Sequence, residues 1–377
     1  NSNNSTPIAP YTNWVTAATD IQAAVDVATD GDIVLVTNGI YETGGRAVYG
    51  AMTNRVVIDK AITVRSMNGP EVTTIKGNRP PGDSDINTHG SIRCVYMGAN
   101  STLEGFTLGD GCTRKDGDST QEKRGGGIWC EAGVVVSNCI IFHNYAHYVG
   151  WGAGAYKGTY YNCTFSDNTS MYFGGGAFDA TLYNCTIVSN YAYAGGGAFE
   201  STLYNCTISG NIGFSEGGGG VCGGTLYNCI LTGNHADYSE GGGTLGSVLY
   251  NCTLIGNSAS FGGGGADGGT LNNCIIFFNT SPGVSNVCES TLNSCCTTPD
   301  PGGTGNITNE PAFINRQAGD YRLSRNSPCI NAGTNQDWMM SAADLDGRPR
   351  VTGGTVDMGA YEAGTTILYV SPSGAHV

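Results

Sequence analysis

Basic residues are scarce in this 377-residue chain: 17 Lys and Arg stand against 31 Asp and Glu, for a formal net charge of −14. So acidic a chain repels phosphate backbones, which argues against nucleic acid as a partner. Charge of either sign is thin, at 13% of residues. Long apolar runs are missing too: none approaches the roughly 18 residues needed to cross a bilayer, so no membrane span is expected. The chain opens at Asn1 with neither an initiator Met nor a signal-like segment. We read it as the mature product of an exported precursor, extracellular or at the cell surface. What is plentiful is Gly, at 60 residues, with many Asn, Ser, Thr and Tyr. The length would ordinarily suggest two or three domains, but repeat proteins escape that rule by adding rungs to one core.

A repeat is present. The block GGGAF-D-A-TLYNCTIVSN, Gly174 to Asn190, returns as GGGAF-E-S-TLYNCTISGN, Gly195 to Asn211. An Asn-Cys step marks each copy, at Cys139, Cys163, Cys185, Cys206, Cys229, Cys252 and Cys274, with Cys295 as a degenerate eighth; the spacings are 21–24 residues. A second Asn follows each full step by five residues: Asn144, Asn168, Asn190, Asn211, Asn234, Asn257 and Asn279. This period is too short for a propeller blade or a helix pair. It fits one coil of three short strands and three turns, so the expected fold is all-β: a right-handed parallel β-helix of about 11 coils, 21–24 residues each.

Stacking places equivalent residues about 4.8 Å apart. Leu182, Leu203, Leu226, Leu249 and Leu271 form one column; Ile187, Ile208, Leu231, Leu254 and Ile276 form another; the cysteines run between them. We place all three inside. Asn tolerates the left-handed corner of a coil and can bond the Asn above and below. The Gly triplets serve the other corner. Parallel Cβ vectors one rung apart lie beyond the usual disulfide Cβ separation of about 3.8 Å, so the ladder cysteines are expected to be reduced. Off-ladder Cys94, Cys112, Cys130, Cys222, Cys288 and Cys329 remain open to pairing. No metal site is expected, since neither His nor carboxylate accompanies each ladder Cys.

The ends depart from the period. Residues 1–31 read as an N-terminal arm and a capping helix, with Ile21, Ala24, Val25 and Ala28 on one face. Solenoids need such caps to cover an open edge. Residues 32–297 form the β-helix, regular from 125 onward; 298–364 read as a C-terminal β cap, and 365–377 as a strand-like tail. The polar segment 109–124 is an insertion loop. Acidic residues there, or Asp344, Asp346 and Asp357, could hold a structural Ca²⁺, but solvated and turn-forming roles are favoured. No other cofactor is expected.

The GGGAF and Asn-rich repeat resembles the polymorphic-membrane-protein type of β-helix repeat. The ending SPCINAG…DLDGRPRVTGG…VDMGAYE resembles the C-terminal part of the choice-of-anchor Q group of secreted bacterial β-helix proteins. Together these cover most of the chain and imply a β-helix. They leave function open, because such proteins include adhesins, surface repeats and polysaccharide-processing enzymes.

For chemistry, Lys157, Asp179 and Glu200 each precede a ladder Cys by six residues, so they should stack on adjacent rungs. Asp179 and Glu200 would then approach the ~5–5.5 Å of a retaining glycosidase pair. The alternative is three solvated residues on one face. A lyase centre needs Lys or Arg, and 125–297 holds only Lys157. The tyrosine column Tyr161, Tyr183, Tyr204, Tyr227 and Tyr250 reads as structural. A turn set, Tyr145, Tyr148, Trp151, Tyr172, Tyr191, Tyr193 and Tyr238, divides evenly between structural stacking and glycan or lateral contact.

In modules of the resembled group, a segment like LYVSPSGAHV commonly precedes one like Pro10-Tyr11-Thr12-Asn13-Trp14. Here it stands at the far end, with Ile367, Leu368, Tyr369 and Val370 forming a good strand. About eleven coils separate the ends by roughly 50 Å, so this strand cannot close on its own molecule. The leading expectation is therefore a structural subunit that joins itself head to tail. The tail would be donated to Pro10, Tyr11 and Trp14 of the next subunit, in a filament or tandem array. The alternative is a carbohydrate-active or glycan-binding surface protein, or adhesin, with polysaccharide as partner. On this reading an enzyme is the less favoured class.

Overall fold

The computed structural model describes residues 4–80, 90–283 and 286–364. It is a parallel β-helix whose faces are three eleven-stranded sheets, called here A, B and C, and a six-stranded sheet D. One coil shows how the sequence makes the turns. Ala177–Phe178 lies in sheet C, Thr181–Tyr183 in sheet A, Thr186–Val188 in sheet B and Tyr191–Ala192 in sheet D. Each corner holds a left-handed residue: Asp179 at φ 51°, Asn184 at 54°, Ser189 at 57° and Gly195 at 63°. Residues spaced by one repeat pair in register, as Leu182 does with Leu203 and Ile187 with Ile208.

The middle coils thus have four sides rather than three. The fourth strand is two residues long, too short to leave an alternation pattern. The Asn pair of each repeat divides its labour. The Asn before Cys takes the left-handed corner. The second Asn is buried, and its amide bonds the next coil: Asn168 Nδ2 donates to Asn190 Oδ1 at 2.9 Å, and Asn190 Nδ2 to Asn211 Oδ1 at 2.9 Å. The Gly triplet answers both needs expected of it. Gly174 is left-handed at φ 65°, while a Cβ on Gly175 would sit 2.3 Å from Gly196 O.

The Leu, Ile and Cys columns are inside, at 2% exposure or less. The thiols nestle against carbonyls; Cys206 Sγ donates to Tyr204 O at 3.3 Å. All fifteen cysteines are free, and only Cys222 and Cys288 are more than buried. Burial pushes the Cys94 and Cys130 thiols up to about 12.

The N-terminal helix spans Ile21–Val27, capped by Asp20, whose carboxylate accepts Ala23 N–H, and it buries Ile21 and Val25. Lys60 Nζ closes its other end by donating to the carbonyls of Val25, Asp26 and Ala28 at 2.7–2.9 Å. The insertion loop is pinned from beneath by fully buried Arg93, which donates to Gly125 O, Gln121 O, Arg124 O and Asn54 Oδ1. Residues Thr304 and Ile307 bridge to Asn293 and Cys296 and so cover the last coil. The rest of the cap folds back along the flank. Asn228, Asn251 and Asn273 donate side-chain N–H groups to Ala343 O, Asp357 O and Thr334 O. Beneath it the outer face of sheet B turns apolar and buried, at Ile255, Ile275 and Phe277.

Candidate functional surfaces

Lys157, Asp179 and Glu200 do lie on successive coils, each one position after a sheet C strand. All three are exposed corner residues with positive φ, at 60°, 51° and 50°. Asp179 faces Lys157, with Oδ2 3.7 Å from Nζ. Glu200 lies over the next coil, where a Cβ on Gly223 would come within 2.9 Å of its Oε1. In later coils the same corner is Gly223, Gly246 and Gly268, then Glu289, all left-handed. The position is therefore set by the turn. None of the three borders the cleft at the N-terminal end or the cleft within the C-terminal cap.

The two aromatic sets differ in geometry. Tyr161, Tyr183, Tyr204, Tyr227 and Tyr250 stack at 4.7–4.9 Å with planes within 9°. That spacing closes ring against ring and leaves edges outward. Trp338 of the cap packs edge-on against Tyr227 and Tyr250. The turn set is splayed. Tyr148, Tyr172, Tyr193, Phe214 and Tyr238 follow one another at 5.6–6.5 Å, with plane angles of 55°, 15°, 51° and 72°. Tyr148 and Tyr238 are two-thirds exposed, and Phe261, on the next coil, is 57% exposed. Trp151 instead stacks on Phe178 at 4.8 Å, and Tyr145 is buried, so these two belong to the packing. Tyr191 sits on sheet D, half-buried.

The N-terminal end carries an open cleft of about 460 Å³, lined among others by Pro10, Tyr11, Trp14, Ile33, Leu35 and Val36. The strand Ile33–Val36 is the edge of sheet A. Ile33, Leu35 and Trp14 are about half exposed there. Ile367, Leu368, Tyr369 and Val370 lie outside the described residues.

In the cap, Asp344 and Asp357 spend their oxygens on backbone. Asp344 accepts N–H groups of Asp346, Arg348 and Glu362, and Asp357 those of Asn331 and Ala363. Asp346 pairs with Arg322 at 2.6 Å. Buried Arg350 meets buried Glu362 at 2.9 Å. Burial outweighs that attraction and pushes the Glu362 carboxyl up to about 8. The motif DLDGRPR…VDMGAYE is accounted for here as a cap-building device. Among the described residues, no group of three or more His, Cys, Asp or Glu is placed to hold a metal ion, and no helix is long and apolar enough to cross a membrane.

One cluster escaped the sequence reading. His143 Nδ1 lies 2.7 Å from Asp110 Oδ1, and Asp110 Oδ2 lies 3.9 Å from Lys76 Nζ. These residues are 33 and 34 positions apart, outside the 21–24 residue period, because the early coils and the insertion loop intervene.

Among solved structures the chain is similar to the pectate lyase Pel9A, at a TM-score of 0.58 and 17% identity, over 96% of this chain and 98% of that one. The likeness is one of fold. A rhamnogalacturonan lyase is more distant, at a TM-score of 0.45 and 11% identity, over 84% of this chain and 92% of its own. No family model and no curated protein matches the sequence.

Proposed function

We propose that the protein is an extracellular, glycan-binding β-solenoid, whose ligand lies along the splayed aromatic row. The observation that carries this reading is the contrast between the two tyrosine sets. One is closed into an even stack, while the other is spaced more widely on successive coils and exposes Tyr148, Phe214 and Tyr238. Such rings bury much area at small entropic cost, and a contiguous exposed row marks an interaction surface. Binding rather than cleavage is the reading, since Lys157, Asp179 and Glu200 serve as corners. The pectate lyase built on a similar coil makes polygalacturonate a natural probe beside a neutral glucan. In affinity electrophoresis through each polysaccharide, the protein should be retarded. The double variant Tyr148→Ala, Tyr238→Ala should lose at least about fivefold in affinity with unchanged melting. Unaltered retardation of that variant would remove the row from the ligand surface.

A second reading, head-to-tail assembly, is favoured by the apolar cleft at Pro10, Tyr11 and Trp14 beside the unpaired edge Ile33–Val36. A strand from the 365–377 tail of another copy would satisfy that edge. Truncation after Gly364 should abolish any concentration-dependent association seen in sedimentation. Association that persists unchanged rules donation out.

A further inference from the structure

One column on the outer face of sheet B runs from Ile40 on the first strand to Cys296 on the last. From Ile40 to Ile275 every member is Thr or Ile, the β-branched residues that suit a strand. Cys296 alone breaks that rule. Its chain neighbour Cys295 belongs to the inner ladder, where the Sγ donates to Asn293 O at 3.4 Å within its own coil. Cys296 leaves the ladder for the outer face of the final coil, and there it meets the cap.

What it meets is a second thiol. Cys329, from the SPCINAG stretch, is fully buried, as Cys296 is. The two share one apolar cluster with Ile275, Phe277, Leu323 and Met358. The Cys296 thiol is in hydrogen-bonding contact with that of Cys329, and it also donates to Asn309 O at 3.2 Å. The Cys329 backbone is held on both sides: its N–H donates to Ser327 Oγ at 3.2 Å, and its carbonyl accepts Met358 N–H at 3.0 Å.

This pair differs from the ladder in kind. Ladder thiols project side by side from one wall, a rung apart, which is too far for a bond between them. Cys296 and Cys329 come from two layers, coil and cap, and converge across the contact between them. Other off-ladder thiols are placed differently. Cys94 donates to Gly109 O, Cys130 meets Tyr160 Oη, and Cys222 and Cys288 stand three rungs apart in one column.

We propose that Cys296 and Cys329 are a disulfide-forming pair whose oxidation locks the cap onto the last coil. The oxidant is a small-molecule disulfide of the glutathione type. The Cys296 thiolate attacks one of its sulfurs, forming a mixed disulfide and expelling one thiolate. The Cys329 thiolate then attacks Cys296 Sγ, forming the protein disulfide and expelling the other. One disulfide is consumed and two small thiols leave, each carrying a proton that a cysteine gave up. Exchange belongs to the stage before the cap is seated. In the seated, reduced chain the neighbouring Cys329 thiol and burial hold the Cys296 thiol well above its ordinary value, and neither sulfur reaches solvent, so that form is inert. The extracellular setting proposed above would keep the bond closed.

The test refolds the full-length protein in a glutathione redox buffer, blocks the remaining thiols with N-ethylmaleimide in denaturant, and maps the peptides by mass spectrometry. Two of the fifteen cysteines should escape blocking, on a linked peptide pair that holds Cys296 and Cys329. Cys329→Ser, and Cys296→Thr, which restores the residue type of the column, should each leave every thiol blocked, whereas Cys295→Ser should keep the link. Dithiothreitol should lower the melting temperature of the oxidised wild type by at least about 5 °C and leave both pair variants unmoved. Should either pair variant fold poorly, the maps of the wild type and of Cys295→Ser decide the pairing. Full blocking of Cys296 and Cys329 after oxidative refolding overturns the proposal, as does a bond from either one to any other cysteine. A bond that dithiothreitol opens without moving the melting temperature overturns its role in locking the cap.

Discussion

Asn211 takes two hydrogen bonds from Asn190 on a single oxygen: its Oδ1 lies 2.9 Å from the Asn190 backbone nitrogen and 2.9 Å from Asn190 Nδ2. The same fork joins Asn144 to Asn168 and recurs up the column to Asn286, which hands its own amide to Thr298 O. Each Asn is therefore both the acceptor for the coil before it and the donor to the coil after it.

Asn211→Ala leaves the buried Asn190 backbone N–H without an acceptor, while the Asn190 side-chain amide keeps Phe165 O and Val188 O. An unmet buried donor costs about 1–3 kcal/mol, so the variant should lose about that much stability. Urea unfolding followed by circular dichroism measures this. A loss below about 1 kcal/mol would mean that water or a shifted neighbour replaces the rung.

Asp179→Gly and Glu200→Gly should be neutral or stabilising by up to about 1 kcal/mol. Both residues occupy left-handed corners where an L side chain is strained and where three of the four later coils use Gly. Thermal unfolding of each variant decides it. A clear fall in melting temperature would show that the carboxylates, not the turn, set these positions.

Thiol labelling of the native protein should begin at Cys222 and Cys288, the two cysteines that are not fully buried. Burial raises both thiols, so even these should react slowly near neutral pH. Peptide mapping after brief alkylation checks the order. Early labelling at Cys185 or Cys206 would place the ladder outside the core.

The inner columns were readable because a 21–24 residue period carries Leu203, Cys206 and Ile208 to the same place on every coil. Sheet D left no such trace, since strands like Tyr191–Ala192 show one residue to each side. The flank-hugging path of the cap was also hidden, because contacts such as Asn228 with Ala343 span 115 residues without any repeat.

Cap stability should fall as pH rises. The Glu362 carboxyl, ordinarily near 4.5, is raised by burial to about 8 in the folded chain, so folding favours its protonated form. That contribution is complete below about pH 4.5 and is lost as pH climbs through about 8. Asp357, also raised by burial, acts in the same direction. Melting curves across this range should move downward with pH, and Glu362→Gln should flatten the slope. A slope of opposite sign, or one that Glu362→Gln leaves intact, would assign the dependence elsewhere.

The fold-back of the cap has a temporal consequence. Its docking ground, around Asn228, Asn251 and Asn273, must be coiled before Ala343, Asp357 and Thr334 have anything to meet. During synthesis the clasp therefore arrives last, on a rod already wound. Once shut, it ties together turns that would otherwise peel away one by one. Unwinding should then start from the opposite end, where the helix Ile21–Val27 lies over the first coil.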